Sequence, residues 1–172
     1  MDRPSAESLF ERHHGAIFRF LSRQTGDPHL AEDLTQDVFV RVVRGLETFE
    51  PRERDRAWLF RIARRLILDR RRDDSRRPTL VPEADLDPAS RRTDPELRLR
   101  LDEAMADVPE AEREAFLLRE HGGLGYDEIA AVTGSTPDAV RNRIHRARCA
   151  LREAMAAELT AARRRLAEEP RS

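Results

Sequence analysis

The chain has 172 residues and a formal net charge of -1, with 38% charged and only 5% aromatic residues. At about 150 residues per domain this length allows one domain or two small ones, and so few aromatics leave little material for a large continuous core, which favours helices with one wet face. A single cysteine, Cys149, excludes an intrachain disulfide and a zinc site built on paired thiolates; with no run of about 18 apolar residues and no apolar amino-terminal stretch, a cytoplasmic protein without membrane insertion is expected.

Residues 5–24 place Phe10, Ile17, Phe18 and Leu21 at helical steps, and Gly26, Asp27 and Pro28 end that helix. A second helix, over roughly 29–44, puts Leu34, Val38, Phe39, Val42 and Val43 on an apolar face and leaves Asp33, Gln36, Asp37 and Arg41 outside, with Gly45 as its stop. Glu47 to Asp55, which contains Pro51, reads as an exposed loop. In the segment 56–72, Trp58, Leu59, Phe60, Ile62, Ala63, Leu66 and Ile67 share one arc of the helical wheel. Arg61, Arg64, Arg65 and Arg72 fall on the opposite arc. That pattern predicts a core helix with an arginine ridge, and it places Trp58 in the core rather than against a ligand.

Periodicity disappears from Asp73 to Asp94, where Pro78, Pro82 and Pro88 alternate with Ser, Thr and acids, the pattern of a flexible linker. Asp94 followed by Pro95 signals a helix start, with Leu97, Leu101, Ala104 and Met105 on its apolar face. Pro109 opens another helix through Phe116, Leu117 and Leu118, broken by His121, Gly122 and Gly123. A short helix from Tyr126 to Thr133, a turn at Gly134 and a restart at Thr136 and Pro137 then give helix-turn-helix spacing, with Ala130, Gly134 and Val140 at the fifth, ninth and fifteenth positions. On the second of these helices Val140, Ile144, Ala147 and Leu151 must face inward. Arg141, Asn142, His145, Arg146, Cys149 and Arg152 face out, with no acid between Ala139 and Arg152 to repel phosphate, and Asp138 is expected to cap the helix rather than read DNA.

The near-zero net charge hides an uneven distribution. Residues 1–77 hold 17 Arg against 14 acids, 78–120 hold 6 against 12, and 121–172 hold 9 against 7. All 32 basic residues are arginine, which suits forked contacts to phosphate and guanine and follows equally from GC-rich codon usage. Enzyme chemistry finds little support. Adjacent His13 and His14 diverge on a helix, His145 and Cys149 lack a second pair of metal ligands, and no phosphate-binding glycine loop or nucleophile elbow occurs. No cofactor is expected. From the residues alone, the two basic helices describe a protein touching DNA at two places, an operator-binding regulator, or a helical adaptor without DNA affinity, the last disfavoured by the acid-free stretch 139–152.

Several runs resemble an extracytoplasmic-function (ECF) sigma factor of the sigma-70 family. These are Asp33-Leu34-Thr35-Gln36-Asp37-Val38-Phe39, Ala57-Trp58-Leu59-Phe60-Arg61-Ile62-Ala63-Arg64-Arg65, Arg113 to Glu120, Tyr126-Asp127-Glu128-Ile129-Ala130 and Arg143-Ile144-His145-Arg146-Ala147-Arg148, in family order over about residues 8–155. The resemblance implies an all-α protein of two small helical domains: sigma region 2 over 5–75, a linker over 76–94, and a region 4 helix-turn-helix over 95–155, followed by a tail, 156–172. It implies a non-catalytic subunit that directs bacterial core RNA polymerase to promoter DNA, with an anti-sigma factor as a further partner. By the same resemblance Asp33, Gln36, Asp37 and Arg41 dock on the polymerase, and Arg61, Arg64, Arg65 and Arg72 hold the melted minus-ten element. Thr136, Arg141, Asn142, Arg143, His145 and Arg146 contact the minus-thirty-five element.

Overall fold

A computed structural model describes residues 4–48, 54–74 and 95–168. Among them are seven α-helices and no strand: α1 (Ala6–Thr25), α2 (Pro28–Gly45), α3 (Asp55–Asp74), α4 (Pro95–Asp107), α5 (Glu110–Glu120), α6 (Tyr126–Thr133) and α7 (Pro137–Glu168), with a 3-10 turn at Leu46–Thr48 after α2. The expected linker 76–94, its Asp94 cap, and residues 49–53 of the expected loop lie outside the described residues.

Local chemistry sets the helix ends. The Ser5 hydroxyl accepts from Ser8 N–H at 3.1 Å and starts α1, which ends at Gly26 in the left-handed region (φ 69°), where a side chain would be strained. One residue later the Asp27 carboxylate accepts from His29 and Leu30 N–H at 2.9 and 3.2 Å, while Pro28 fills the first helical position. The two-residue connection forces α1 and α2 into an antiparallel hairpin. Helix α3 lies across it, burying Leu59, Phe60, Ala63, Leu66 and Ile67, with Phe20 and Phe60 meeting edge to face at 5.3 Å.

Two outward departures occur on the first two helices. Val43, expected in the apolar face of α2, is 61% exposed, and Phe10 of α1 is 46% exposed. Val42 is fully buried, and on a 3.6-residue helix its neighbour points about 100° away, which carries Val43 past the edge of the buried arc.

The second bundle is built around α7. Val140 and Ala147 are fully buried, Ile144 and Leu151 nearly so, and α5 and α6 pack on that stripe together with Leu117, Leu118, Leu124 and Ile129. The stretch 156–168, expected as a separate tail, continues α7 without a break. It packs beside α4, where Arg100 reaches Glu158 at 3.2 Å.

The two bundles lie against each other. Helix α3 packs on α6 and α1 on α5, and the buried side chains of both halves form one cluster. The backbone turn after α5 makes this possible: an added Cβ on Gly122 would lie 3.2 Å from Phe60 Cζ and 2.5 Å from the Leu118 carbonyl oxygen.

Candidate nucleic-acid interface

Helices α6 and α7 meet as helix-turn-helix spacing requires. Ala130 is buried at the contact, Gly134 takes φ 67° in the turn, and Val140 is fully buried beneath. Glu128 reaches back to the Gly125 N–H at 2.7 Å and fixes the start of α6. The N-terminus of α7 is capped by Thr136, whose hydroxyl accepts from Ala139 N–H at 3.2 Å. Asp138, the expected cap, instead accepts from Arg141 at 2.8 Å: Thr136 already stands immediately before the first helical residue, and Asp138 lies one turn from Arg141 on the outer face.

Thr136, Arg141, Asn142, His145 and Arg146 are exposed, and Arg143 is half-buried. Their surroundings differ. Arg141 is held by Asp138 and also lies 5.4 Å from the centroid of the Tyr126 ring, which Arg119 approaches from 5.3 Å. Arg146 Nε donates to Glu112 of α5 at 2.5 Å, and Arg148 donates to Glu120 at 2.8 Å. These acids pre-orient the guanidiniums near the helix surface.

The arginine ridge of α3 is present but divided. Arg61, Arg65 and Arg72 are exposed, whereas Arg64 is half-buried, its Nε donating to Glu114 of α5 at 2.8 Å. Three further cations along the same seam escaped the sequence pattern. Arg71 pairs with Glu110, Arg54 meets Glu128 at 3.2 Å, and Arg56 donates to the Gly123 carbonyl at 3.4 Å. Arg23 of α1 pairs with Asp102 of α4. The acidic balance of residues 78–120, 12 acids against 6 Arg, marks the stretch that supplies Asp102, Glu110 and Glu114 without saying which arginine each meets, and Glu128 and the Gly123 carbonyl lie outside it. Burial and the neighbouring Arg113 lower the Arg71 pKa, an effect opposed by Glu114, and a guanidinium stays charged regardless. Trp58 packs on the core as expected, half-buried, with its Cζ2 against Gly45.

On α2, Asp33, Gln36, Asp37 and Arg41 are all exposed, beside exposed Val40 and Val43. A cavity of about 520 Å³ between α1 and α2, lined by Phe10, His14, Phe18, Glu32, Thr35 and Gln36, adjoins this face. Cys149 lies 3.6 Å from His145 Nε2, and no group of three metal-ligating side chains occurs among the described residues. Nor is any helix among them long and apolar enough to cross a membrane.

Comparison with known proteins agrees with this layout. Residues 9–77 match the family model for Sigma-70 region 2, and residues 98–151 match that for Sigma-70, region 4. The ECF RNA polymerase sigma factor SigE of Mycolicibacterium smegmatis is 37% identical over 161 residues, which cover 89% of this chain and 62% of that protein. RNA polymerase sigma factor CarQ of Myxococcus xanthus is 36% identical over 154 residues, covering 86% and 87%. Among solved structures, the sigma factor RpoE in complex with the anti-sigma factor NepR from Bartonella quintana superimposes with a TM-score of 0.77 at 24% identity, covering 87% of this chain and 96% of that one. That last likeness concerns the fold.

Proposed function

The chain belongs to the ECF branch of the sigma-70 family, whose members are transcription initiation factors rather than enzymes, and from that premise we propose how its own residues divide the work. Bound to bacterial core RNA polymerase in the cytoplasm, it selects promoter DNA through two surfaces, one on each bundle. Region 2 spans 5–75 and region 4 spans 95–155, with 76–94 between them. The observation that carries this reading is the pairing of two basic helix faces, on α3 and α7, within a chain that matches sigma regions 2 and 4 in order.

Region 4 reads duplex DNA. Helix α7 presents Arg141, Asn142, His145 and Arg146 to the major groove, where arginine pairs with guanine and asparagine with adenine. Arg143 and the Thr136 end of the helix position phosphate. Region 2 holds the opened minus-ten strand, with Arg61, Arg64, Arg65 and Arg72 tracking its phosphates. The acid-edged, partly apolar face of α2 docks on polymerase through Asp33, Gln36, Asp37 and Arg41. An anti-sigma factor as a further partner is supported by the fold neighbour solved with one.

Run-off transcription with purified core polymerase on a library of promoter fragments tests the whole reading. Discrete transcripts that require the protein are expected. Their absence, together with specific duplex binding by the protein alone, would point to an operator-binding regulator instead. For the docking face, Asp37→Arg is expected to weaken capture of core polymerase while leaving duplex binding by region 4 intact, and unchanged capture in a pull-down removes Asp37 from that face.

A further inference from the structure

A polar cavity of about 340 Å³ lies at the N-terminal end of α3, lined by Arg12 and His13 of α1, Arg54, Asp55 and Arg56 around the start of α3, and Glu128 of α6. Arg12 meets Asp55 at 3.1 Å, Arg54 meets Glu128 at 3.2 Å, and Arg56 donates to the Gly123 carbonyl at 3.4 Å, contacts that use only part of the N–H donors of each guanidinium. Gly123, also on the cavity wall, takes φ 62°, and an added Cβ would lie 2.8 Å from Arg56 Nη1, so the missing side chain leaves this arginine its place. Three arginines against two carboxylates give the cavity an excess of one positive charge while His13 is neutral. His13 itself is only 7% exposed, and its buried Nε2 has no hydrogen-bond partner. A buried polar atom left so is costly. A water molecule would satisfy Nε2 and leave the charge excess, whereas an oxyanion answers both.

We propose that this cavity binds a small tetrahedral dianion of the phosphate or sulfate type, held by Arg12, Arg54 and Arg56 and by an Nε2 proton of His13. The volume is about ten times the roughly 30 Å³ share of one water, so the ion enters with part of its hydration shell, which limits the cost of desolvating it. Asp55 and Glu128 compete with the ion for the arginines and keep the cavity from being more than weakly positive, so a dianion binds more tightly once His13 takes up a proton. The coupling is reciprocal: the bound ion holds that proton on His13 against Arg12 and Arg56. None of the residues proposed to contact DNA lines the cavity, and the site therefore stands apart from the roles given to α3 and α7.

Nuclear magnetic resonance on the full chain, with nitrogen-labelled arginine and histidine, tests the site as sulfate replaces chloride at constant ionic strength. The side-chain signals of Arg12, His13, Arg54 and Arg56 are expected to shift together and to saturate with one dissociation constant. Shifts that never saturate, or that spare His13, overturn the proposal. Arg54→Gln alters a side chain that is 77% exposed and so leaves the fold intact, and it is expected to weaken sulfate binding by about tenfold, the worth of one charged hydrogen bond. The control Arg163→Gln removes the same charge from an exposed position far along α7 and is expected to change nothing. Equal weakening by the two variants means an adventitious ion only, held by the general field of the chain. Sulfate stays a dianion between about pH 8 and pH 5, so the His13 midpoint is expected to rise when it binds. A rise of about one pH unit corresponds to an affinity about tenfold higher in acid, a gain that His13→Gln abolishes. A midpoint unmoved by saturating sulfate removes His13 from the site, and it can be read in the parent chain whether or not His13→Gln folds. Inorganic phosphate at about pH 8 is expected to displace sulfate from the same signals. A short oligo-dT that displaces it instead gives the cavity to DNA phosphate and overturns a site for a small ion.

Discussion

Helices α3 and α7 carry the same pattern, an apolar arc opposed by arginines, and the fold treats them differently. Helix α3 is covered on two sides: α1 and α2 cover its apolar side, and α6, with acids from α5, approaches another, taking up Arg64 and Arg71 and leaving Arg61, Arg65 and Arg72 exposed. Helix α7 keeps its outer face toward solvent. Its arginines are served by acids of its own bundle, Asp138 for Arg141, Glu112 for Arg146 and Glu120 for Arg148. A hydrophobic period reports where a helix's own bundle lies. It carries no information on whether a second bundle covers the opposite face.

The harshest way to break this comparison is to remove the side chain that serves both sides of α3. Phe60 is fully buried, stacks edge to face on Phe20, and reaches the Gly122 turn of the other bundle. Phe60→Ala is expected to cost about 3–5 kcal/mol in denaturant unfolding, because a large apolar side chain is lost and the rigid turn cannot close the cavity. A loss below about 1 kcal/mol, the range of conservative core changes, would mean that α3 is not the shared centre of the molecule.

A sharper and smaller effect separates the two arginine faces by what they read. Arg141→Ala or Arg146→Ala is expected to cost about 1–3 kcal/mol at one upstream base position, measured on duplexes substituted at each position. Arg61→Ala or Arg65→Ala, on the face proposed to track phosphates, is expected to weaken binding across sequences and to lower its salt dependence. A uniform loss from the α7 variants, or a base-specific one from the α3 variants, would reverse the roles given to the two helices.

How much was legible in advance follows the same division. Most helix limits could be read within a residue or two because caps and breakers mark them: Ser5, Gly26 and Asp27, Gly134 and Thr136; the end of α7 could not, since no Gly or Pro stands between Leu151 and Glu168 and the helix runs on through the expected tail. The inward stripe of α7 was legible because every fourth or third residue from Val140 to Leu151 is apolar, and the fold buries all of them. The outward faces were legible as faces only. Nothing near Arg64 in the sequence points to Glu114, 50 residues away, since an ion pair between bundles leaves no periodic trace. Val43 was misplaced for a related reason: apolar character alone does not fix the edge of a buried arc, and this residue falls beyond it on the face assigned to polymerase docking.

The smallest expected effect belongs to the N-terminal end of α3, where its cations reach back to α1. His13 is buried beside a polar cavity of about 340 Å³ that Arg12, Arg54, Asp55, Arg56, Gly123 and Glu128 also line, and its Nε2 has no hydrogen-bond partner. Burial lowers its pKa below the ordinary 6.5, Arg12 and Arg56 lower it further, and Asp55 only partly opposes them. The unfolded chain therefore takes up the proton at a higher pH than the folded one. Stability from this residue is fully present above about pH 6.5 and is lost as pH falls from there toward the lowered folded value. Unfolding midpoints followed across that window should decline less steeply with acid in His13→Gln than in the parent chain. Equal slopes would mean that neither burial nor the neighbouring Arg12 and Arg56 lowers the His13 pKa in the folded chain.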